Sequence, residues 1–290
     1  MNNIALFKNS IALLDEVYKN AALTADLDGA PELVKAGANA NELIIPMIDM
    51  QGLGDYDRNS GYVNGDVTLT NETVKCNFDR GRMFNVDAMD DEETAGVAFG
   101  KLSGEFIRTK VVPELDAFRF ATYASTDGVT VKTENIKDLD PDAVKVAIID
   151  GTVAMDEAEV PFEGRILYIT PTLKALVDNA ETTSSKAIFE RFEKIVLVPQ
   201  TRFYSKIELN DGKTGGKENG GYVKAADGKN INFMIVHKGA PIQFQKHTVP
   251  KIVTPEANQT SDGWKFGYRT VGIADVYENK TAGIYVSIAE

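Results

Sequence analysis

Cysteine is nearly absent: Cys76 is the only one in 290 residues. No intrachain disulfide and no thiolate metal cluster can form, which fits a reducing compartment. Histidine is almost as scarce. His237 and His247 stand ten residues apart, outside the i, i+4 spacing of a helical metal pair, and no HExxH is present. No apolar run approaches the ~20 residues of a membrane span. The opening stretch MNNIALFKNSIALLDEVYKN lacks a basic region followed by an apolar run and contains Asp15 and Glu16, so it is not a secretory signal. Positive charge is in deficit: 31 Lys plus Arg against 43 Asp plus Glu gives 31 − 43 = −12. Such a chain repels phosphate backbones and is not expected to be a dedicated nucleic-acid binder. A GxSxG nucleophile elbow is also missing. The composition is otherwise that of an ordinary globular chain, expected to be soluble and cytoplasmic. Its length allows one domain or two subdomains that need no metal or disulfide.

Apolar residues at 4, 7, 11, 14, 17 and 18 predict a short amphipathic helix near the start, followed by the breaker-rich ADLDGAPELVKAGANAN. This is an arm that lies on something else. ELIIPMIDM, 42–50, reads as a strand, QGLGDYDRNSGYVNGD as a turn, and DVTLTNETVKCNF, 66–78, as the returning strand. The pair makes a long hairpin with little apolar surface of its own. Such a ribbon is marginal in water and should rest on another surface, possibly another chain.

A helix then runs to about Ala124. Asp90, Asp91, Glu92 and Glu93 suit its first turn, and Phe99, Leu102 and Phe106 share a face that Ile107, Val111, Leu115 and Phe118 continue. Pro113 should kink it, or else open a second helix. Gly96, Gly100 and Gly104 recur every four residues, each costing roughly 1 kcal/mol relative to alanine. The strip they make lets a backbone approach closely, within the subunit or from a neighbour.

Beyond 125 the chain alternates. DLDPDAVKVAIIDGTVAM is a helix with Asp140 as N-cap and Pro141 at its first position. Thr170 and Pro171 repeat that signal before TLKALVDNA. RILYIT, KIVLVP and INFMIVH read as buried strands. IQFQKHTVPKIV, WKFGYRTVGIADVY and AGIYVSI read as a second β layer, with loops at 210–221 and 254–263.

Candidate chemistry is thin. Gly215, Gly216 and Lys217 suggest a phosphate loop, but Asp211 and Glu218 occupy the places of the required glycine and hydroxyl. Asp138, Asp140 and Asp142 alternate like calcium ligands, yet Ala143 and Ile149 stand where the turn glycine and distal glutamate belong. Helix capping explains them more simply. Asp55, Asp57 and Arg58 in the hairpin tip are either a solvated carboxylate group or ion pairs between subunits. No catalytic, cofactor or metal residue is expected.

The order of these segments is similar to that of the major capsid protein of tailed bacteriophages, with the Hong Kong 97-type fold. The stretches FDRGRMF (78–84), KVVPELDAFRF (110–120), GKNINFMIVHKGAPIQFQKH (228–247) and WKFGYR (264–269) resemble a group of such proteins from phages of Gram-positive bacteria. The resemblance covers nearly the whole chain and implies an α+β fold. Its parts would be an N-terminal arm (1–41), an extended E-loop hairpin (42–86), a peripheral domain with the long spine helix (87–138 and 240–278) and an axial α/β domain (139–239 and 279–290).

By the same resemblance the chain is a shell protein. It would form hexamers and pentamers around double-stranded DNA that it does not bind by sequence, in a virion capsid built in the host cytoplasm. Because the sequence begins at Met1 and reaches the arm at once, a separate scaffolding protein is expected. Portal and decoration proteins are further expected partners, and no membrane is involved. The E-loop should lie over the adjacent subunit, the arm should cross to neighbours, the 254–263 loop should point to threefold contacts and the 210–221 loop to the capsomer axis. Tyr56, with Asp55, Asp57, Arg58, Gly96, Gly100 and Gly104, would then be assembly contacts. The alternatives are an encapsulin-like nanocompartment shell and an α/β enzyme of the cytosol.

Overall fold

The computed structural model describes residues 22–29, 35–36, 42–59, 61–89, 104–134, 136, 140–180 and 187–290. The helix expected at 4–18, the acidic turn at 90–93, and Gly96 and Gly100 lie outside them. The described residues form an α+β architecture of two main sheets joined by a helix, with a hairpin standing apart from both. The short strand β1 (Lys35–Ala36) pairs with β2 (Glu42–Met50), which pairs with β3 (Val67–Lys75) in one antiparallel register from Glu42↔Lys75 to Met50↔Val67. β4 (Phe78–Asp87) follows. The ten-residue strand β4 was not anticipated, because its apolar residues alternate only in part.

Of the two expectations at Pro113, a kink or the first turn of a second helix, the structure shows the second as a change of winding. Ile107–Val111 is π-helical and runs directly into α1 (Val112–Ser125), with the Val112 N–H bonded to the Ile107 carbonyl. The missing amide of Pro113 thus falls in the first turn of a reset helix, where no intrahelical donor is needed. The helix stops at Ser125, one residue from the expected end.

β5 (Thr130–Thr133) joins a five-stranded sheet with α2 (Pro141–Glu157), β6 (Arg165–Ile169), α3 (Pro171–Asn179) and β7 (Lys194–Leu197) arranged about it. A two-stranded ribbon, β8 (Ile207–Leu209) with β9 (Tyr222–Lys224), leads to β10 (Ile231–His237). The sheet order is β5-β13-β10-β6-β7, where β13 is Ile284–Ile288. β6 is buried throughout, as its unbroken apolar run demands. Alternation along β10 divides two cores. Phe233 and Ile235 pack with α2 and α3, while Met234 and Val236 pack with α1. β7, expected to be buried, is an edge strand with Lys194 and Leu197 exposed.

Asp140 caps α2 as predicted, its carboxylate accepting from the Asp142 N–H at 3.0 Å. Thr170 sits at the cap position of α3 but makes no side-chain cap bond. A helical glycine that the sequence reading did not single out, Gly151 on α2, is closely approached by side chains. A Cβ on Gly151 would lie 2.8 Å from Tyr285 Cδ1 and 2.9 Å from Ile235 Cδ1.

The second main sheet has the order β11-β12-β4, with β11 (Pro241–Val253) and β12 (Gly263–Val276) paired along almost their full length. The residue pattern alone sets AGIYVSI in this layer, while the segment order of the resemblance groups 279–290 with 139–239. Glu278–Gly283 turns the chain away, and β13 enters the five-stranded sheet between β5 and β10. β13 is almost wholly buried, so both its faces need cover, which the outer layer does not offer.

The two sheets meet on α1. Its first half contributes Val112 and Leu115 to the three-stranded side, and its second half contributes Phe120, Tyr123 and Ala124 to the five-stranded side. Between them lies a buried polar seam. Asp116 is fully buried and accepts from the Leu23 N–H (3.1 Å), the Thr24 N–H (3.3 Å) and the Thr24 hydroxyl (2.8 Å). Arg119, 1% exposed, donates to Thr24 Oγ1 at 2.7 Å and lies 3.4 Å from Asp28. Gln243 on β11 donates to the Thr24 carbonyl (2.7 Å) and to Asp28 (2.6 Å), and accepts from the Tyr123 hydroxyl (2.8 Å). Burial pushes the Asp116 carboxyl above its ordinary value, against the Thr24 hydrogen bond and the Arg119 guanidinium, which act to lower it. The seam holds residues 23–28 of the arm to both sheets at once.

Two outcomes follow for stability. Gly151→Ala should lower the unfolding free energy by about 1–3 kcal/mol through overpacking, against the usual gain of alanine in a helix. Asp116→Ala should cost about 1–3 kcal/mol, because it leaves the Leu23 and Thr24 N–H groups without their acceptor and takes the carboxylate from beside Arg202. Denaturant titration of each variant checks both, and a stabilised Gly151→Ala would contradict the contact with Tyr285.

Candidate functional site

Among the described residues, the hairpin of β2 and β3 carries the largest run of uncovered apolar side chains. Nine residues per strand give roughly 30 Å of ribbon. Among the described side chains its packing is at the root, where Val74 is buried with Ile242 and Ile273 and Cys76 rests half-buried beside them. Further out, Met50, Leu53, Tyr56, Tyr62, Val63, Val67 and Leu69 are all exposed, Leu53 completely and Tyr62 by 87%. The ribbon therefore carries more apolar surface than its polar turn suggested, and none of it is covered by the described chain. Pro46 in β2 is paired with Asn71 on one side, beyond the point where β1 ends on the other, so its missing donor leaves no broken ladder.

The tip is ordered by its own contacts. Asp57 and Gly61 form a bridge, with the Gly61 N–H donating to the Asp57 carbonyl at 2.8 Å. The Asp57 carboxylate accepts from the Asn59 N–H at 2.7 Å. Gly61 takes φ +79°, a conformation that costs glycine little. The Tyr56 and Tyr62 rings meet edge to face with centroids 4.9 Å apart. Asp55, Tyr56, Asp57 and Arg58 are thus brought together on an exposed knob, and no metal-binding group of carboxylates forms there or elsewhere among the described residues. Gly104 begins the described helix, and nothing of the described chain comes within 4 Å of a Cβ built on it.

The other candidate sites dissolve into local structure. In the 210–221 loop, Asp211 accepts from the Lys213 and Thr214 N–H groups at 2.9 Å each and from the Thr214 hydroxyl, which holds its carboxyl far below the ordinary value. The Gly216 N–H donates to Glu218 at 2.9 Å. Carboxylates of the chain itself occupy the backbone donors that a phosphate would require. Asp142 pairs with Lys145 at 2.9 Å and Asp140 serves as the cap, which leaves no calcium-like pair; Asp138 lies outside the described residues. His237 ends β10, accepts from the Gly239 N–H at 3.2 Å, and is held below its ordinary value chiefly by burial. His247 lies on β11 and its side chain is not among those described. No described helix is long and apolar enough to cross a membrane.

What the sequence did not announce is the seam of Asp116, Arg119 and Gln243. A signal existed: two opposite charges at i, i+3 on the same helix whose neighbours Leu115, Phe118 and Phe120 are apolar. Charges there read as a solvated face until the arm and β11 are seen to cover them.

Neither a family profile nor a curated protein matches this sequence. Solved structures do match its fold. A structure from Mycobacterium phage Che8 superposes with a TM-score of 0.59 at 15% identity, over 91% of this chain and 89% of that one. The capsid structure of Staphylococcus phage Andhra gives 0.56 at 9%, over 91% and 83%. A virus-like particle from Pyrococcus furiosus gives 0.53 at 13%, over 94% and 98%. Identities this low speak of architecture alone, and the architecture is shared end to end: the chain has the fold of tailed-phage capsid proteins.

Proposed function

We propose that this chain is a major capsid protein of a tailed phage, assembling through hexamers and pentamers into the icosahedral head around double-stranded DNA. The observation that carries the reading is the hairpin. A subunit that acts alone has no use for roughly 30 Å of ribbon with seven large apolar side chains in water. Covering them with a neighbour is worth on the order of 10 kcal/mol, at 1.5 kcal/mol or more for each side chain.

In this reading the hairpin is the E-loop of a Hong Kong 97-type subunit and lies across the adjacent copy. The helix ending in α1 is the spine, the sheet β11-β12-β4 is peripheral and the five-stranded sheet is axial. Strand β5 goes with the axial sheet it pairs with, although the segment 87–138 was expected to be peripheral. The arm, pinned at 23–28 by Asp116, is directed towards neighbours from a fixed point. Its role is structural, and its chemistry is that of interfaces. A separate scaffolding protein, a portal and decoration proteins are the partners such a shell would need.

A second reading has one observation in its favour, the 98% coverage of the Pyrococcus furiosus particle subunit. Under it, the same shell would enclose protein cargo. Portal and terminase genes beside the coding gene favour the phage; a ferritin-like or peroxidase gene favours the compartment.

Expression of the full chain, alone and with its neighbouring scaffold candidate, should yield closed shells by negative-stain microscopy and sedimentation. Small monodisperse particles under every condition would end the shell reading. Leu53→Asp combined with Tyr62→Asp should leave the unfolding midpoint within about 0.5 kcal/mol of the parent, since both side chains are exposed. The same variant should lower the yield of shells at least tenfold, an effect of about 1.4 kcal/mol per contact or more.

A further inference from the structure

The two sides of the five-stranded sheet present opposite surfaces. On one side, the outward stripe of α2 runs Asp142, Val146, Asp150, Val153, Glu157, at spacings of four, four, three and four, which is one helical face. Val146 and Val153 stand 57% and 46% exposed at its centre. Valine is a poor helix former and gains nothing from water, so neither local propensity nor the subunit's own packing explains two of them there. The span 141–159 holds five acids and one lysine, 1 − 5 = −4. Asp142 and Asp150 have partners within the subunit, in Lys145 and Lys132. Glu157 and Glu159 have no ion-pair partner among the described residues.

The other side carries the β8–β9 ribbon. It packs against α1, where Leu209 joins Val112 and Leu115, and so lies across the sheet from α2. Between 206 and 229 there are five lysines and four acids, 5 − 4 = +1, in a chain of net −12. Arg82 leans in as well, donating to the Glu218 carbonyl at 3.1 Å. Lys206 and Lys217 pair with Asp227 and Glu208. Lys213, Lys224 and Lys229 have no carboxylate partner among the described residues, and Lys224 lies 5.9 Å from the Tyr204 ring. Val223 is 48% exposed among them.

We propose that the α2 stripe of one subunit docks on the β8–β9 face of a second copy, in a head-to-tail contact between axial sheets. The inference rests on the shell reading. Two different surfaces on opposite sides of one layer generate a ring when each copy offers the first to its predecessor and the second to its successor. The net charges have opposite signs, −4 on the α2 span and +1 on the ribbon, where Asp211 and Glu218 are turned to the loop's own N–H groups, and each surface has an exposed valine, so burial supplies affinity and charge supplies orientation. An α2–α2 contact would set acid against acid, and nucleic acid would be repelled by the same stripe.

The test uses the full chain under the conditions in which the parent assembles. Glu157→Lys and Lys224→Glu, each alone, should raise the concentration needed for assembly about tenfold. The double variant should restore it to within about threefold, the non-additivity of groups in contact. Val146→Asp with Val153→Asp should abolish shells while the circular dichroism spectrum and unfolding midpoint stay those of the parent. Single reversals that assemble like the parent, or a double variant worse than either single, would overturn this contact and leave the shell reading standing. A parent chain that never assembles would overturn both.

Discussion

Two sheets that share no strand both pack on one helix of fourteen residues, and two buried charges on that helix reach out where they meet. Asp116 and Arg119 leave α1 where the apolar core of one sheet gives way to that of the other. A leucine at either position could join one core or the other. The carboxylate and guanidinium reach a third element instead, the chain at 23–28, and Gln243 closes the set from β11. Removing two charges from water is costly, and a hydrophobic replacement is often as stable. The seam therefore contributes direction more than stability. Hydrogen bonds hold residues 23–28 in one position on the body, which an apolar contact would leave loose.

The same division between rigid and uncovered parts governs the rest of the molecule. The two cores on either side of the five-stranded sheet close on themselves, with β6, β10 and β13 buried almost throughout. The hairpin does the opposite. It is anchored only by Val74 and its neighbours, and its far end is shaped by a bridge, an aspartate-capped turn and a tyrosine pair that need no help from the body. A pre-shaped tip loses less conformational entropy when it meets a surface, so more of the apolar burial remains as affinity.

Much of this was legible in the residues, and what was not has physical causes. β2, β3, α2, β6 and β10 follow from alternation, unbroken apolar runs and the Asp140–Pro141 cap, because each is stabilised by a face that the sequence displays. β4 was missed because FDRGRMFNVD gains its place from pairing with β12 along ten residues rather than from its own pattern. β7 was taken as buried because KIVL looks like β6, and only sheet order makes it an edge. The last strands were read as one layer because local sequence cannot say which sheet a strand enters. The candidate surface divides in the same way. Its polar turn is evident in the sequence, while the reading of a hairpin with little apolar surface misses Met50, Leu53, Val63, Val67 and Leu69, which are scattered singly among polar residues.

The helical glycines bring these points together. A glycine in a helix signals a close approach, but not by whom. Gly151 meets Tyr285 and Ile235 of its own subunit, and there the approach seats α2 on the sheet. Gly104 meets nothing in the described chain. The same residue type has a partner among the described residues in one case and none in the other. A glycine within a helix costs stability wherever nothing uses the space it leaves, so the cost is offset at Gly151 by the seating of α2. Gly104 and the exposed end of the hairpin share one property: among the described residues, nothing covers the surface that each presents.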